Sequence, residues 1–194
     1  IRLLERPGPW NFETIGSGLG RSEYPMGSYE RVQVNGDWKF PVAPSAVLQD
    51  KGWIFGYEAG EVAGKQGVIL ARVKAGKIEE PGAYEFYYGP GPVFAPERTR
   101  AVLLVPEVYG QVSVAWNPFL GKYLMACASN LSRPREIYFL VGERPWGPFE
   151  ELSDAVTVPD PEGKISLVYC AFLHPEMFRE AGRIVSLTYC YRQE

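Results

Sequence analysis

The sequence predicts an all-β protein assembled from four-stranded antiparallel sheets of the β-propeller kind. Three observations lead there. Aromatic residues make up 14% of the chain, and 21 Gly and 17 Pro accompany them in 194 residues. Aromatic side chains favour strands while Gly and Pro favour tight turns, a mixture that suits short strands and suits long helices poorly. Short apolar or alternating runs recur between those turn signals. The runs also group into units of about 40–50 residues, the spacing of propeller blades. A β-sandwich is the architectural alternative, because short strands with regular turns point to it as well.

Taken in order, residues 1–40 form a loop-rich N-terminal segment with short strands. Residues 1–28 carry "RPGPW" and "GSGLG". The second lacks both the strand–helix setting and the Lys of a phosphate-binding loop, so it reads as a turn. Tyr29–Val34 alternates, Asn35-Gly36 is a strong short-range hairpin signal, and Asp37–Phe40 returns.

Residues 41–194 read as a single domain of blades, at about 41–90, 110–151 and 165–194. The first contains Ser45–Gln49, a turn at Asp50-Lys51-Gly52, Trp53–Tyr57, Gly67–Val73 ("GVILARV") and Tyr84–Tyr88 ("YEFYY"). The second repeats the order with "QVSVAW" at Gln111–Trp116, a turn at Asn117–Gly121, Lys122–Cys127, "EIYFLV" at Glu136–Val141 and the edge "RPWGPFEE". The third supplies Ile165–Ala171 and the "RIVSLTYCY" run that opens at Arg183. Pro175–Ala181 ("PEMFREA") is the one helix expected, of two turns at most.

That makes about two and a half blades, whereas propellers have about four to eight. An open array leaves unpaired strand edges. A second copy of the chain, another chain or a further segment is therefore expected to complete the ring.

Charge and composition exclude several function classes. The net charge is −3 and no Lys/Arg run stands out, which argues against a phosphate-backbone partner. No apolar run reaches the roughly 18 residues of a membrane-spanning helix. The chain starts at Ile1, so the lack of a leader carries no information. Cys127, Cys170 and Cys190 form no CxxC pair, and a single His does not complete a Cys/His zinc site at these spacings. They read as small buried apolar side chains, although an odd count leaves room for one disulfide. No metal site and no cofactor are expected, with a channel cation such as calcium left open. Asn130-Leu131-Ser132 is a glycosylation sequon, meaningful only in a secreted eukaryotic protein.

Three stretches carry a family resemblance. They are "GVILARVKAGKIEEPGAYEFYYGPG" (67–91), "QVSVAWNPFLGKYLMACAS" (111–129) with "RPWGPFEE" (144–151), and "YCAFLHPEMFREAGRIVSLTYC" (169–190). Together they resemble the C-terminal part of a bacterial family of five-bladed propellers of unknown function, itself similar to the endo-D-arabinanases and, more distantly, to arabinanase/xylosidase propellers. The resemblance implies a carbohydrate-active propeller that hydrolyses an arabinose- or furanose-containing oligosaccharide or polysaccharide. It also implies an extracellular or secreted setting, with the cytoplasm as the alternative. Family members are longer and carry an acidic residue near the start of an N-terminal inner strand, for which residues 1–40 offer no match.

Glycosidic hydrolysis needs two carboxyl groups flanking the bond. Glu107, between the apolar "AVLLVP" and the strand "QVSVAW", is the expected proton donor, since apolar surroundings raise a carboxyl pKa; a solvated loop residue is the plainer reading. His174 is the only His, ends an inner strand and precedes Pro175. It is expected to position an acid or bond a sugar hydroxyl, against a purely structural role. Glu176 reads as a first-turn residue of the expected helix. Ser45 and Ser113 occupy matching inner-strand positions, suited to ligand contact or to close packing at the axis. Glu58 in "GYEAGE" is a binding candidate or a solvated turn residue. Tyr169 is favoured for sugar stacking over Trp53, Trp116, Trp146 and Phe172, which read as packing residues. No Gly-x-Ser-x-Gly elbow surrounds either Ser, which disfavours a Ser–His–Asp hydrolase. Two other readings stand beside hydrolysis: a non-catalytic carbohydrate-binding or interaction propeller, and a fragment of a larger assembly.

Overall fold

The computed structural model describes residues 2–3, 12–24, 27–128, 132–152 and 155–193. The sequon residues Asn130 and Leu131 lie outside them.

The chain is all-β, with five short 3-10 turns among the described residues. Two small ribbons come first: β1 (Arg2–Leu3) pairs β2 (Phe12–Glu13), and β3 (Gly20–Arg21) pairs β4 (Glu30–Arg31). The first large sheet orders β5 (Ala46–Asp50), β6 (Trp53–Val62), β7 (Lys65–Lys74), β8 (Glu85–Gly89) and β9 (Val93–Ala95), with β10 (Leu103–Pro106) also on β7. The second orders β11 (Val112–Asn117), β12 (Lys122–Cys127), β13 (Glu136–Gly142) and β14 (Phe149–Glu151), with β15 (Val156–Thr157) on β13. The third pairs β16 (Ile165–Leu173) with β17 (Leu187–Gln193). All these pairings are antiparallel.

The unbroken apolar runs of β7 and β12 have a simple cause: both faces of their sheets are covered. On β7, Val68 and Leu70 face the cluster shared with the second sheet, while Ile69 and Ala71 face the opposite cluster. On β12, Tyr123, Met125 and Cys127 join the first of these, and Leu124 and Ala126 pack against Val168, Ala171 and Leu173 of the third sheet. The second sheet is thus layered between the first and the third, as blades of an open, partial propeller are. The "PWGPF" edge seals the first junction. Trp146 lies 6.0 Å from Phe55 and 6.4 Å from Phe94, and the Tyr57 hydroxyl donates to the Pro145 carbonyl at 2.7 Å.

Turn chemistry sets the hairpins. Lys51-Gly52 and Ala63-Gly64 take positive φ at both central positions (46° and 80°, 50° and 78°), the geometry that two-residue hairpins require. Gly67 answers a different need. A Cβ there would stand 2.4 Å from the Val105 carbonyl oxygen, so β10 can approach β7 only because the side chain is absent.

Two expectations change. The strand expected at Tyr29–Val34 shrinks to Glu30–Arg31. Val34 and Asp37 close the Asn35-Gly36 turn through two backbone bonds of 2.8 and 3.0 Å, and Val32 donates to Leu19 instead of extending that hairpin. The helix expected at Pro175–Ala181 is replaced by two 3-10 turns, Pro175–Met177 and Glu180–Gly182. Phe178 and Arg179 between them are extended, and Arg179 bridges to Ile184. So short a segment recovers too few helical bonds to offset nucleation.

Candidate functional site

The first strands of the three sheets, β5, β11 and β16, are neighbours, with β11 in contact with the other two. Each pairs with a single strand in its own sheet, which leaves its other edge for contacts between sheets. Ser45 and Ser113 supply such contacts. Ser45 Oγ accepts the Val112 N–H at 3.0 Å and lies 3.1 Å from the Val112 carbonyl oxygen. One sheet further on, Ser113 Oγ accepts the Leu173 N–H at 3.1 Å. The matched positions seen in the sequence therefore join consecutive sheets, and both hydroxyls are engaged by backbone.

His174 follows directly. Its N–H donates to Ser186 O at 2.9 Å, which fixes the backbone beyond β16. Its ring lies between two side chains, with Nε2 at 2.9 Å from Thr188 Oγ1 and Nδ1 at 3.2 Å from Glu176 Oε1. The His174 side chain is 30% exposed and that of Glu176 67% exposed, so the pair is open to a ligand. Pro175 starts the 3-10 turn that swings Glu176 back toward the ring.

Asn117 anchors the loop that carries them. It is fully buried, its Oδ1 accepts the Leu120 N–H at 3.0 Å, and its Nδ2 donates to Gly182 O at 2.9 Å. Gly182 has φ +95°, and a Cβ there would meet Asn117 Oδ1 at 2.8 Å. Sequence reasoning took Asn117 as a turn former only; an Asn ahead of Pro118 was the available signal.

The other named residues lie apart. Glu107 is exposed with φ +59°, and its N–H donates to Gln66 O beside the turn of the β6–β7 hairpin. Its neighbour Val108 is fully buried in the core. Glu58 is bound on two sides: Arg98 forks onto both carboxylate oxygens at 2.8 Å, and the Ala43 N–H donates to Oε2 at 3.1 Å. Tyr169 is half-buried opposite Cys190 in the β16–β17 ladder. Trp116 packs edge-on to Tyr123 with ring centroids 5.0 Å apart, yet remains 45% exposed. Burial, and then Asp50, which is hydrogen-bonded to Tyr123, raise the Tyr123 pKa. Trp53 is occupied by Arg72, whose guanidinium sits 4.2 Å from its ring centre and 3.9 Å from that of Phe94.

Among the described residues no group of three or more His, Cys, Asp or Glu side chains is placed to hold a metal ion. A cavity of about 270 Å³ lies between the N-terminal segment and the first sheet, lined largely by apolar side chains including Leu19, Phe40, Ile54 and Tyr84. None of the predicted site residues lines it.

Layered antiparallel sheets joined strand to strand in this way define an open part of a β-propeller. The chain belongs to the family described as "Domain of unknown function (DUF4185)", whose model matches residues 13–192. Among solved structures it is similar to a protein from Bacteroides ovatus ATCC 8483 provisionally described as a hydrolase. That match has 18% identity and a TM-score of 0.53, over 74% of this chain and 37% of that one. A provisional exo-β-1,3-galactanase from Bifidobacterium bifidum s17 matches at 16% identity and a TM-score of 0.44, over 77% of this chain and 45% of that one. A GH43 β-1,3-galactosidase matches at 11% and 0.47, over 81% and 31%. The chain spans less than half the length of each, and the first likeness shows a shared fold alone. No curated protein matches the chain.

Proposed function

We propose that the chain is part of a carbohydrate-active propeller that hydrolyses glycosidic bonds, with an arabinose- or furanose-containing glycan as substrate. The observation that carries this reading is the His174 cluster. A partly exposed imidazole, bonded through one nitrogen to Thr188 and through the other to the open carboxylate of Glu176, stands beside the junction of the three first strands. Imidazole–carboxylate contact of this kind orients an acid or base for proton transfer. In this reading Glu176 is the carboxylate that His174 positions; Glu107, on the segment before β11 and apart from that pair, is proposed as the proton donor, and the Glu107→Gln variant decides its part. The resemblance of residues 67–91, 111–129 with 144–151, and 169–190 to the endo-D-arabinanase-like family supports the sugar class. A second copy, or further chain completing the ring, belongs to the same proposal, as does a secreted setting.

The test is product analysis on arabinan, arabinogalactan and galactan with the wild-type chain and the variants His174→Ala, Glu176→Gln and Glu107→Gln. Losses of about 10²–10⁴ in rate are expected for the carboxamide variants. Full activity in Glu107→Gln moves the donor role to another residue. No release of sugar by the wild type overturns hydrolysis.

One observation favours a binding module instead. The Ser45, Ser113 and Glu58 oxygens are engaged within the protein, while the Trp116 ring, packed edge-on over the buried Tyr123, offers an exposed aromatic face. Binding of a glycan without cleavage, weakened in Trp116→Ala, would establish that alternative.

A further inference from the structure

Cys170 and Cys190 are brought together by a defect in the last ladder. After a first register shift between Ile165 and Leu167, β16 pairs β17 from Leu167 to Tyr169, which stands opposite Cys190, and pairing resumes at Phe172 opposite Thr188. Two residues of β16, Cys170 and Ala171, therefore face one residue of β17, which is the arrangement of a β-bulge. Cys170 sits in the left-handed region at φ +54°. In a regular ladder it would point to the face opposite Tyr169 and Cys190; the bulge redirects it. Its Sγ lies 3.3 Å from Gln111 Oε1. Cys190 stands opposite Tyr169, the residue before Cys170, which places the two thiols side by side at the bulge. Cys190 is exposed and Cys170 half-buried, whereas the third cysteine, Cys127, is fully buried in the core.

We propose that Cys170 and Cys190 are a thiol–disulfide exchange site that closes to an intramolecular disulfide across β16 and β17 when a small-molecule disulfide is the oxidant. Exposure makes Cys190 the first to react. Its thiolate attacks one sulfur of the oxidant and expels one thiolate, leaving a mixed disulfide on Cys190. The Cys170 thiolate then attacks the Cys190 sulfur and expels the second. Two protein thiols and one small disulfide become one protein disulfide and two small thiols, so electrons and protons balance. Burial first, and then Cys190, hold the Cys170 pKa above the ordinary thiol value, so the second step speeds up as pH rises. The cross-link ties down the strand that carries Thr188, the partner of His174, but the proposal does not depend on any activity at that histidine.

The test uses the full reduced chain, incubated with glutathione disulfide and read by intact mass, non-reducing peptide mapping and thermal unfolding. The expected product is a monomer lighter by two hydrogens, with peptides containing Cys170 and Cys190 linked. Its Tm is expected to be higher by about 6–12 °C, because the bridge closes a loop near twenty residues long. Cys190→Ser should abolish both changes, and Cys170→Ser should stop at the glutathione adduct on Cys190. A stable adduct on Cys190 in the wild type, a link through Cys127, a disulfide-bonded dimer, or an equal Tm rise in Cys190→Ser would each overturn the proposal.

Discussion

Ser113 Oγ accepts the backbone N–H of Leu173 at 3.1 Å, between two sheets whose strands share no ladder. Ser113 is 9% exposed and Leu173 6% exposed, so water has little access to the bond. Removing the hydroxyl leaves a buried donor without its partner. Ser113→Ala is expected to destabilise the fold by about 1–3 kcal/mol, lowering Tm by about 2–4 °C per kcal/mol. Ser45→Ala should behave in the same way, since Ser45 holds both backbone groups of Val112. Calorimetry on the two single variants checks both; unchanged Tm values would show that the bonds between sheets add nothing.

Glu58 ties Arg98 to the loop before β5. The guanidinium also donates to Pro41 O at 3.1 Å, so one ion pair holds two segments. Glu58→Ala removes charge-assisted bonds from a carboxylate only 14% exposed, and a loss of about 1.5–3 kcal/mol is expected. A double-mutant cycle with Arg98→Met should give a coupling of about 0.5–3 kcal/mol. Zero coupling in denaturant titrations would contradict the pairing.

Acid should weaken the second sheet through Glu151. Hydrogen bonds from Arg133, at 3.1 Å and closer, hold its carboxyl below the ordinary value of 4.5 against the opposing effect of burial. A depressed folded pKa gives stability that is whole above the unfolded pKa and is lost as pH falls through the folded one. Tm should therefore decline below pH 4.5, and Glu151→Gln should flatten part of that decline. An identical acid limb in the variant would assign the effect elsewhere.

Alkali should act on Tyr57. Burial first, then Tyr123 and Asp50, push its hydroxyl well above the usual value of 10.0. The neutral form is the one that fits the folded state, so stability is whole below pH 10 and falls as pH rises toward the folded pKa. Tyr57→Phe should cost about 1–3 kcal/mol at neutral pH by stranding the Pro145 carbonyl, yet show a shallower alkaline loss. Parallel pH–stability curves for the two proteins would refute this assignment.

Much of the fold was legible along the chain. Continuous apolar runs such as "GVILARV" and "KYLMAC" mark strands covered on both faces, and Lys51-Gly52 marks its hairpin, because each signal is local. Strand ends were less legible. The β6–β7 hairpin extends to Val62 and Lys65, where the alternation fades and backbone pairing alone continues. The helix expected at Pro175–Ala181 failed because its apolar residues serve contacts outside the segment, such as Phe178 against the third-sheet core.

The candidate site was legible only as a list of residue types. His174, Ser45, Ser113, Glu58 and Glu107 stand out by identity and by place in a repeat. Which of them meet is a matter of register and of layering between sheets. The sequence by itself determined that this protein is a stack of short antiparallel strands with tight turns, since strand period and turn chemistry depend on neighbours a few residues apart. Only the tertiary structure decided that the serines join sheets, that Glu58 belongs to Arg98, and that His174 stands between Thr188 and Glu176. Contacts between residues 40–67 positions apart follow from how sheets stack, and even the short-range His174 contacts follow from a bulge and a 3-10 turn that no local pattern specifies.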